Sequence, residues 1–204
     1  MQVDLNDKPA HFVELYASIH PDPAAAAKVP ILIDGDTQLI ESQLVVEYLD
    51  AQYSSGTQLV PSDPATAARA KLFVEVFNGA VTGPTFALLR ADTPEAVAAG
   101  KEKLAAGLKV VDTALRRHGL PSGDFFLGSQ FSLADVCTLT FVQRSVVVLP
   151  VYRGVDVWAM MEEGGLERLQ RWARAVLART SAQATKPEDD VIAQSLAKFV
   201  TPMK

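Results

Sequence analysis

The chain is predicted to be an α+β protein: a small unit of mixed strands and helices, then a longer unit that is all helix. Three observations predict this. Short apolar runs bounded by turn residues are confined to the first fifty or so residues. The stretch Leu59-Val60-Pro61-Ser62-Asp63-Pro64 then interrupts all periodicity and reads as a linker. Beyond it, the apolar residues recur at helical spacing. The predicted domains are residues 1–53 and 64–204.

In the first unit, Gln2 to Leu5 is apolar at alternate positions and reads as a strand. Asn6 or Asp7 is expected to cap the next helix, with Pro9 in its first turn and Phe12, Val13, Leu15 and Tyr16 on its apolar side. His20-Pro21-Asp22-Pro23 stops that helix, and Ala24 to Ala27 is expected to form one helical turn. Val29 to Asp34 reads as a buried strand and Gln38 to Glu41 as its neighbour, joined by the hairpin signal Asp34-Gly35-Asp36. From Ser42 a helix is expected to about Gln52, with Leu44, Val45, Tyr48 and Leu49 as its apolar stripe.

After the linker, Asp63 is placed to cap a helix whose first residue is Pro64. Phe73, Phe77 and Val81 share a face of it, and Gly83-Pro84 is expected to kink or break it. Thr93-Pro94-Glu95 opens the next helix, whose stripe is Leu104, Leu108, Val111 and Leu115. Gly119 to Gly128 is a loop. Ser132 and Asp135 are spaced as a capping box, with Phe131 and Val136 at the staple positions. Leu166, Leu169, Trp172, Ala173, Val176 and Leu177 mark a further helix, and Val191 to Val200 the last. Arg168, Arg171, Arg174 and Arg179 read as a solvated face, and Arg116-Arg117 as charge suited to a helix C-terminus.

Composition excludes several functions. The 204 residues carry a formal net charge of -5, which repels a phosphate backbone, so no nucleic-acid partner is expected. Cys137 is the one cysteine. No internal disulfide or multi-cysteine metal site can form, and the thiol is expected to be buried and inert. His11, His20 and His118 have no metal-ligand spacing, and no phosphate-binding glycine loop or nucleophile elbow occurs. No metal and no bound cofactor are expected. The start lacks a charged-then-apolar pattern and no uninterrupted apolar run reaches about 18 residues, so no membrane contact and a cytoplasmic location are expected.

The chemistry concentrates in Lys28-Val29-Pro30-Ile31-Leu32 and in Glu41-Ser42. Proline cannot donate to a sheet, so Pro30 marks a strand start or a sharp turn. A Glu-Ser pair opening a helix gathers a carboxylate, a hydroxyl and unpaired backbone N–H groups. Such a point suits a small zwitterion, with the helix end favouring its carboxylate and the glutamate its ammonium.

Val-Pro followed by a Glu-Ser helix start resembles the glutathione-binding half of the glutathione transferase superfamily. Asp4-Leu5-Asn6-Asp7-Lys8-Pro9 followed by Phe12 is similar to the omega-like branch, and the Ser132–Asp135 box resembles one in the family's helical domain. The resemblance implies a thioredoxin-like domain that is truncated, beginning at its second strand, followed by an all-α helical bundle. The segment that carries the family's catalytic Ser, Tyr or Cys is expected to be absent, so the catalytic residue is unknown. The resemblance also implies that glutathione, as a co-substrate, meets Lys8, the backbone of Val29 before a cis Pro30, Glu41 and Ser42. An electrophile would lie between the domains, against Phe73 and Phe77. The implied activity is conjugation, as in detoxification, or thiol-dependent reduction, in a homodimer. A non-catalytic scaffold or interaction module is the alternative.

Overall fold

The computed structural model describes residues 3–5 and 7–204. The chain divides into two compact units, residues 1–60 and 61–204.

In the first unit, helix α1 (Ala10–Ile19) packs on a two-stranded antiparallel sheet of β1 (Ile31–Asp34) and β2 (Thr37–Ile40), followed by α2 (Ser42–Tyr53). Phe12 and Tyr16 of α1 are buried with Ala27, and Val3, Ile31 and Ile40 pack against them. Several local expectations are corrected. Residues 3–5 form no strand, while Gln2 lies outside the described residues. Asn6 also lies outside them, and Asp7 caps nothing: α1 opens at Pro9, whose carbonyl accepts from Phe12 and Val13. Ala24 to Ala27 is not helical. Asp22 Oδ1 accepts the Ala24 N–H at 2.9 Å, and this side chain-to-backbone bond turns the chain instead.

The first strand starts two residues later than predicted, at Ile31, ends at Asp34 as predicted, and is half-buried to exposed rather than buried; the second is shifted one residue earlier, to Thr37–Ile40. Gly35 has φ 57, the positive value a tight hairpin turn requires. On α2 only Val45 of the predicted stripe is buried; Leu44 and Leu49 are exposed. Tyr48 and Tyr53 both donate to Asp34 Oδ2, at 2.7 and 2.5 Å, tying α2 to the end of β1. The buried Asp50 accepts the backbone N–H groups of Leu59 and Val60, both at 2.8 Å, which fixes the exit of the unit.

The regular elements of the second unit are helices, with two isolated antiparallel bridges, Phe125–Gly128 and Leu127–Gln130, in the loop of residues 119–131. Asp63 caps α3 (Pro64–Phe77) by accepting from Thr66. The chain then passes through a π-helical turn, Asn78–Thr82, directly into α4 (Gly83–Arg90). Gly83-Pro84 therefore does not break the helix, because the widened turn accommodates a proline that has no N–H to donate. Helix α5 (Pro94–His118), capped by Thr93, lies close against this turn: a Cβ at Gly107 would stand 1.8 Å from the Ala80 carbonyl oxygen. Its predicted stripe is buried.

Helix α6 (Leu133–Arg153) runs through the core beside α3, α8 and α10. Asp135 is fully buried at its start and accepts four bonds: from Phe126 N–H, Trp172 Nε1, and both the N–H and hydroxyl of Ser132. Helices α7 (Val157–Glu163), α8 (Glu167–Ala178), α9 (Thr180–Thr185) and α10 (Asp189–Leu196) complete the unit, with a short 3-10 turn at Ala197–Phe199. Arg168 is buried rather than solvated and donates to the carbonyls of Asp124 and Phe125. Arg153 donates to the carbonyls of Leu88, Leu89 and Thr201, joining α6, α4 and the C-terminal segment.

Pro64–Arg90 and Leu133–Arg153 are long and apolar enough to span a bilayer by length and composition, contrary to the expectation that no such helix exists. Core helices meet the same criterion, and both supply the core described above.

Candidate functional site

The hairpin brings four of the predicted residues to one place. Ile31 pairs with Ile40 as the last rung of the ladder. Pro30 directly precedes and Glu41 directly follows this rung, with Val29 and Ser42 one residue further along each arm. All four sit at the open end of the hairpin, opposite the Gly35 turn. The Val29–Pro30 bond is cis. Val29 is about half exposed, at 48%, and its backbone N–H and C=O have no partner among the described residues.

Glu41 is the only described non-glycine residue with positive φ, at 69. That region is costly for a side chain bearing a Cβ. The residue stands at the N-cap of α2, yet no side chain caps the helix. Among the described residues no group bonds the carboxylate of Glu41 or the hydroxyl of Ser42, and both residues are exposed. The backbone turns through a strained angle and leaves its polar groups facing outward, where an anion and an ammonium could be held together. Lys8 stands just before α1 with its ammonium unpaired among the described residues. At the other end of β1, hydrogen bonds from Tyr53 and Tyr48 hold the Asp34 carboxyl below its ordinary value of 3.8. The spacing of Asp34 and the two tyrosines was visible in the sequence, but Tyr48 reads there as part of an apolar stripe.

Phe73 and Phe77 are corrected. They are 0% and 1% exposed and belong to the core of the helical unit. Phe73 packs on Phe126 and Trp172 at centroid distances of 5.0 and 5.5 Å, and Phe77 on Trp172 at 5.9 Å. Rings enclosed this way present no face to a ligand. Cys137 is partly exposed rather than buried.

Two family descriptions match: "Glutathione S-transferase, N-terminal domain" over residues 7–58, and "Glutathione S-transferase, C-terminal domain" over residues 94–175. The chain is 30% identical over 175 residues to glutathione S-transferase U15 of Arabidopsis thaliana, an alignment covering 84% of this chain and 72% of that protein. The chain belongs to the glutathione S-transferase family. Its fold is similar to that of glutathione transferase Omega 3C from Trametes versicolor, with a TM-score of 0.79, 24% identity, and coverage of 98% of this chain and 77% of that one. It is similar as well to a tau-class glutathione S-transferase from mango, Mangifera indica, with a TM-score of 0.77, 21% identity, and coverage of 98% and 86%. A small thioredoxin-like domain followed by a helical domain is the architecture of this glutathione S-transferase fold.

Proposed function

We propose that the chain binds glutathione at the open end of the hairpin and joins its thiol to an electrophile, or uses it to reduce a disulfide substrate, with glutathione oxidised to its own disulfide. One observation carries the reading: the strained, uncapped Glu41-Ser42 start of α2, at the same end of the hairpin as Val29–Pro30. Glu41 would take the γ-glutamyl ammonium. Ser42 and the free N–H groups of α2 would take its carboxylate. The open backbone of Val29 would pair with the cysteinyl backbone as an added strand does. Lys8 would meet the glycine carboxylate. Further support comes from the relatives, which are glutathione S-transferases, and from a similar rice structure described as a complex with glutathione. We also propose the omega-like branch, on the Asp4–Pro9 segment and the Omega 3C likeness, with the tau-class likeness as its rival.

Retention on immobilised glutathione and calorimetry test the binding. Glu41→Ala with Ser42→Ala removes charge-assisted bonds, each about 1.5–3 kcal/mol, so affinity should fall by at least about tenfold. Wild-type chain that passes through the column unretained defeats the proposal. A non-catalytic glutathione-binding member is a second reading, favoured by the two-stranded sheet, among the described residues, that carries no assigned catalytic group. Conjugation turnover by a chain that binds glutathione would remove it.

A further inference from the structure

Among the described residues no three His, Cys, Asp or Glu side chains gather closely enough to hold a metal ion. A different set of donors gathers at the turn end of the hairpin, away from Glu41 and Ser42. Asp34, the last residue of β1, accepts the hydroxyl of Tyr48 at 2.7 Å and that of Tyr53 at 2.5 Å, both on Oδ2. Oδ1 takes no bond among the described residues. A carboxylate offers about four lone-pair sites over its two oxygens. Both phenols nevertheless crowd onto one oxygen, so three oxygens converge on a single point.

That convergence is not a matter of helix spacing. Tyr48 and Tyr53 stand about 140° apart around α2, and only the length of their rings brings both hydroxyls to one corner. The corner is open to solvent: Tyr53 is 58% exposed, and Asp34 and Tyr48 are partly so. Neighbouring oxygens around a six-coordinate cation with bonds of about 2.0–2.1 Å stand about 2.8–3.0 Å apart. The two pairs here are slightly closer, and a small outward movement of the exposed rings admits an ion between them.

The donors select which ion. All three are oxygens, which suit hard cations. One carboxylate and two phenolates carry three negative charges, which a trivalent ion offsets and a divalent ion does not. No Lys, Arg or His pairs with Asp34 among the described residues, so no side chain supplies that compensation. Tyrosine is also an established axial ligand of haem iron.

We propose that Asp34, Tyr48 and Tyr53 together bind one ferric ion, with water in its remaining positions. Two Oη–H bonds break and their protons pass to solvent, two phenolate–iron bonds and one carboxylate–iron bond form, and no electron is transferred. Without the ion the phenolic protons stay in place and make the tie described above. Because the ligands come from β1 and α2, the ion clamps the two elements together. The site uses no residue of the glutathione proposal, so either can fail without the other.

The full chain is titrated with ferric nitrilotriacetate in the absence of glutathione, since a thiol reduces ferric iron. A visible phenolate-to-iron charge-transfer band that saturates at one ion per chain is expected. Tyr53→Phe, with its fold checked by circular dichroism, should cut the band by about half and weaken binding by about tenfold or more. Asp34→Asn should weaken binding by a similar factor. Tyr152→Phe, whose hydroxyl serves the Ala193 carbonyl in the helical unit, should leave the band unchanged. Absence of a saturable band, unchanged intensity and affinity in Tyr53→Phe or Asp34→Asn, or loss of the band in Tyr152→Phe would overturn the proposal.

Discussion

Replacing Asp135 should destabilise the helical unit more than replacing any surface carboxylate. The carboxylate is 0% exposed and serves four donors: Phe126 N–H at 2.9 Å, Trp172 Nε1 at 2.7 Å, and the N–H and hydroxyl of Ser132 at 2.8 Å each. Burial pushes its carboxyl above the ordinary value, and those four bonds pull it back. In Asp135→Ala the serine hydroxyl can rotate away, but three N–H donors stay buried without an acceptor. At about 1–3 kcal/mol each the loss is at least about 3 kcal/mol, a large share of a typical stability of about 5–15. Asp135→Asn keeps one oxygen for Phe126 and Trp172 and strands only the Ser132 N–H, for about 2 kcal/mol. Ser132→Ala removes one hydroxyl bond, for about 1 kcal/mol. Urea unfolding followed by circular dichroism and tryptophan emission gives the three values. An alanine cost below about 2 kcal/mol, or an asparagine cost equal to it, would refute the reasoning.

Gly107→Ala should lower the melting temperature sharply by calorimetry, at a cost of about 3 kcal/mol or more, since the new methyl meets backbone rather than a flexible side chain. Arg153→Met should leave the carbonyls of Leu88, Leu89 and Thr201 without their shared donor, and hydrogen exchange over residues 200–204 should rise well above wild type. The Asp34 tie should respond to both extremes of pH. Its carboxyl is lowered, so its contribution is complete above 3.8 and is lost as pH falls through the folded value. The hydroxyls of Tyr53 and Tyr48 are raised, so theirs is complete below 10.0 and is lost as pH rises through the folded values. Amide exchange in α2 should therefore quicken at both ends, and Asp34→Asn should remove the acid limb.

Local chemistry was legible in the sequence where a few adjacent residues settle the outcome. The Asp34-Gly35-Asp36 turn, the Asp63-Pro64 start and the Ser132–Asp135 box all depend on contacts within four residues, and all formed. The Glu41-Ser42 helix start was legible too, although its strained φ was not, because nothing in the residue types demands a left-handed glutamate. What failed depends on neighbours distant in sequence. Helical spacing showed that Phe73 and Phe77 share a face, but not that Phe126 and Trp172 would enclose them. The same spacing could not show that Leu44 and Leu49 would stay exposed or that Arg168 would be drawn in by two loop carbonyls. Gly83-Pro84 misled because the rule for proline assumes a helix of fixed width, and the π turn relaxes that assumption.

The widened turn at Asn78–Thr82 has one more consequence. Its Ala80 carbonyl presses into the notch left by Gly107, so the two longest helical runs are keyed together at a single point. Such a key blocks axial sliding: neither helix can shift by a residue without driving a Cβ into that oxygen. Sequence change at either position is therefore tied to the other, and the pair should drift together or stay fixed.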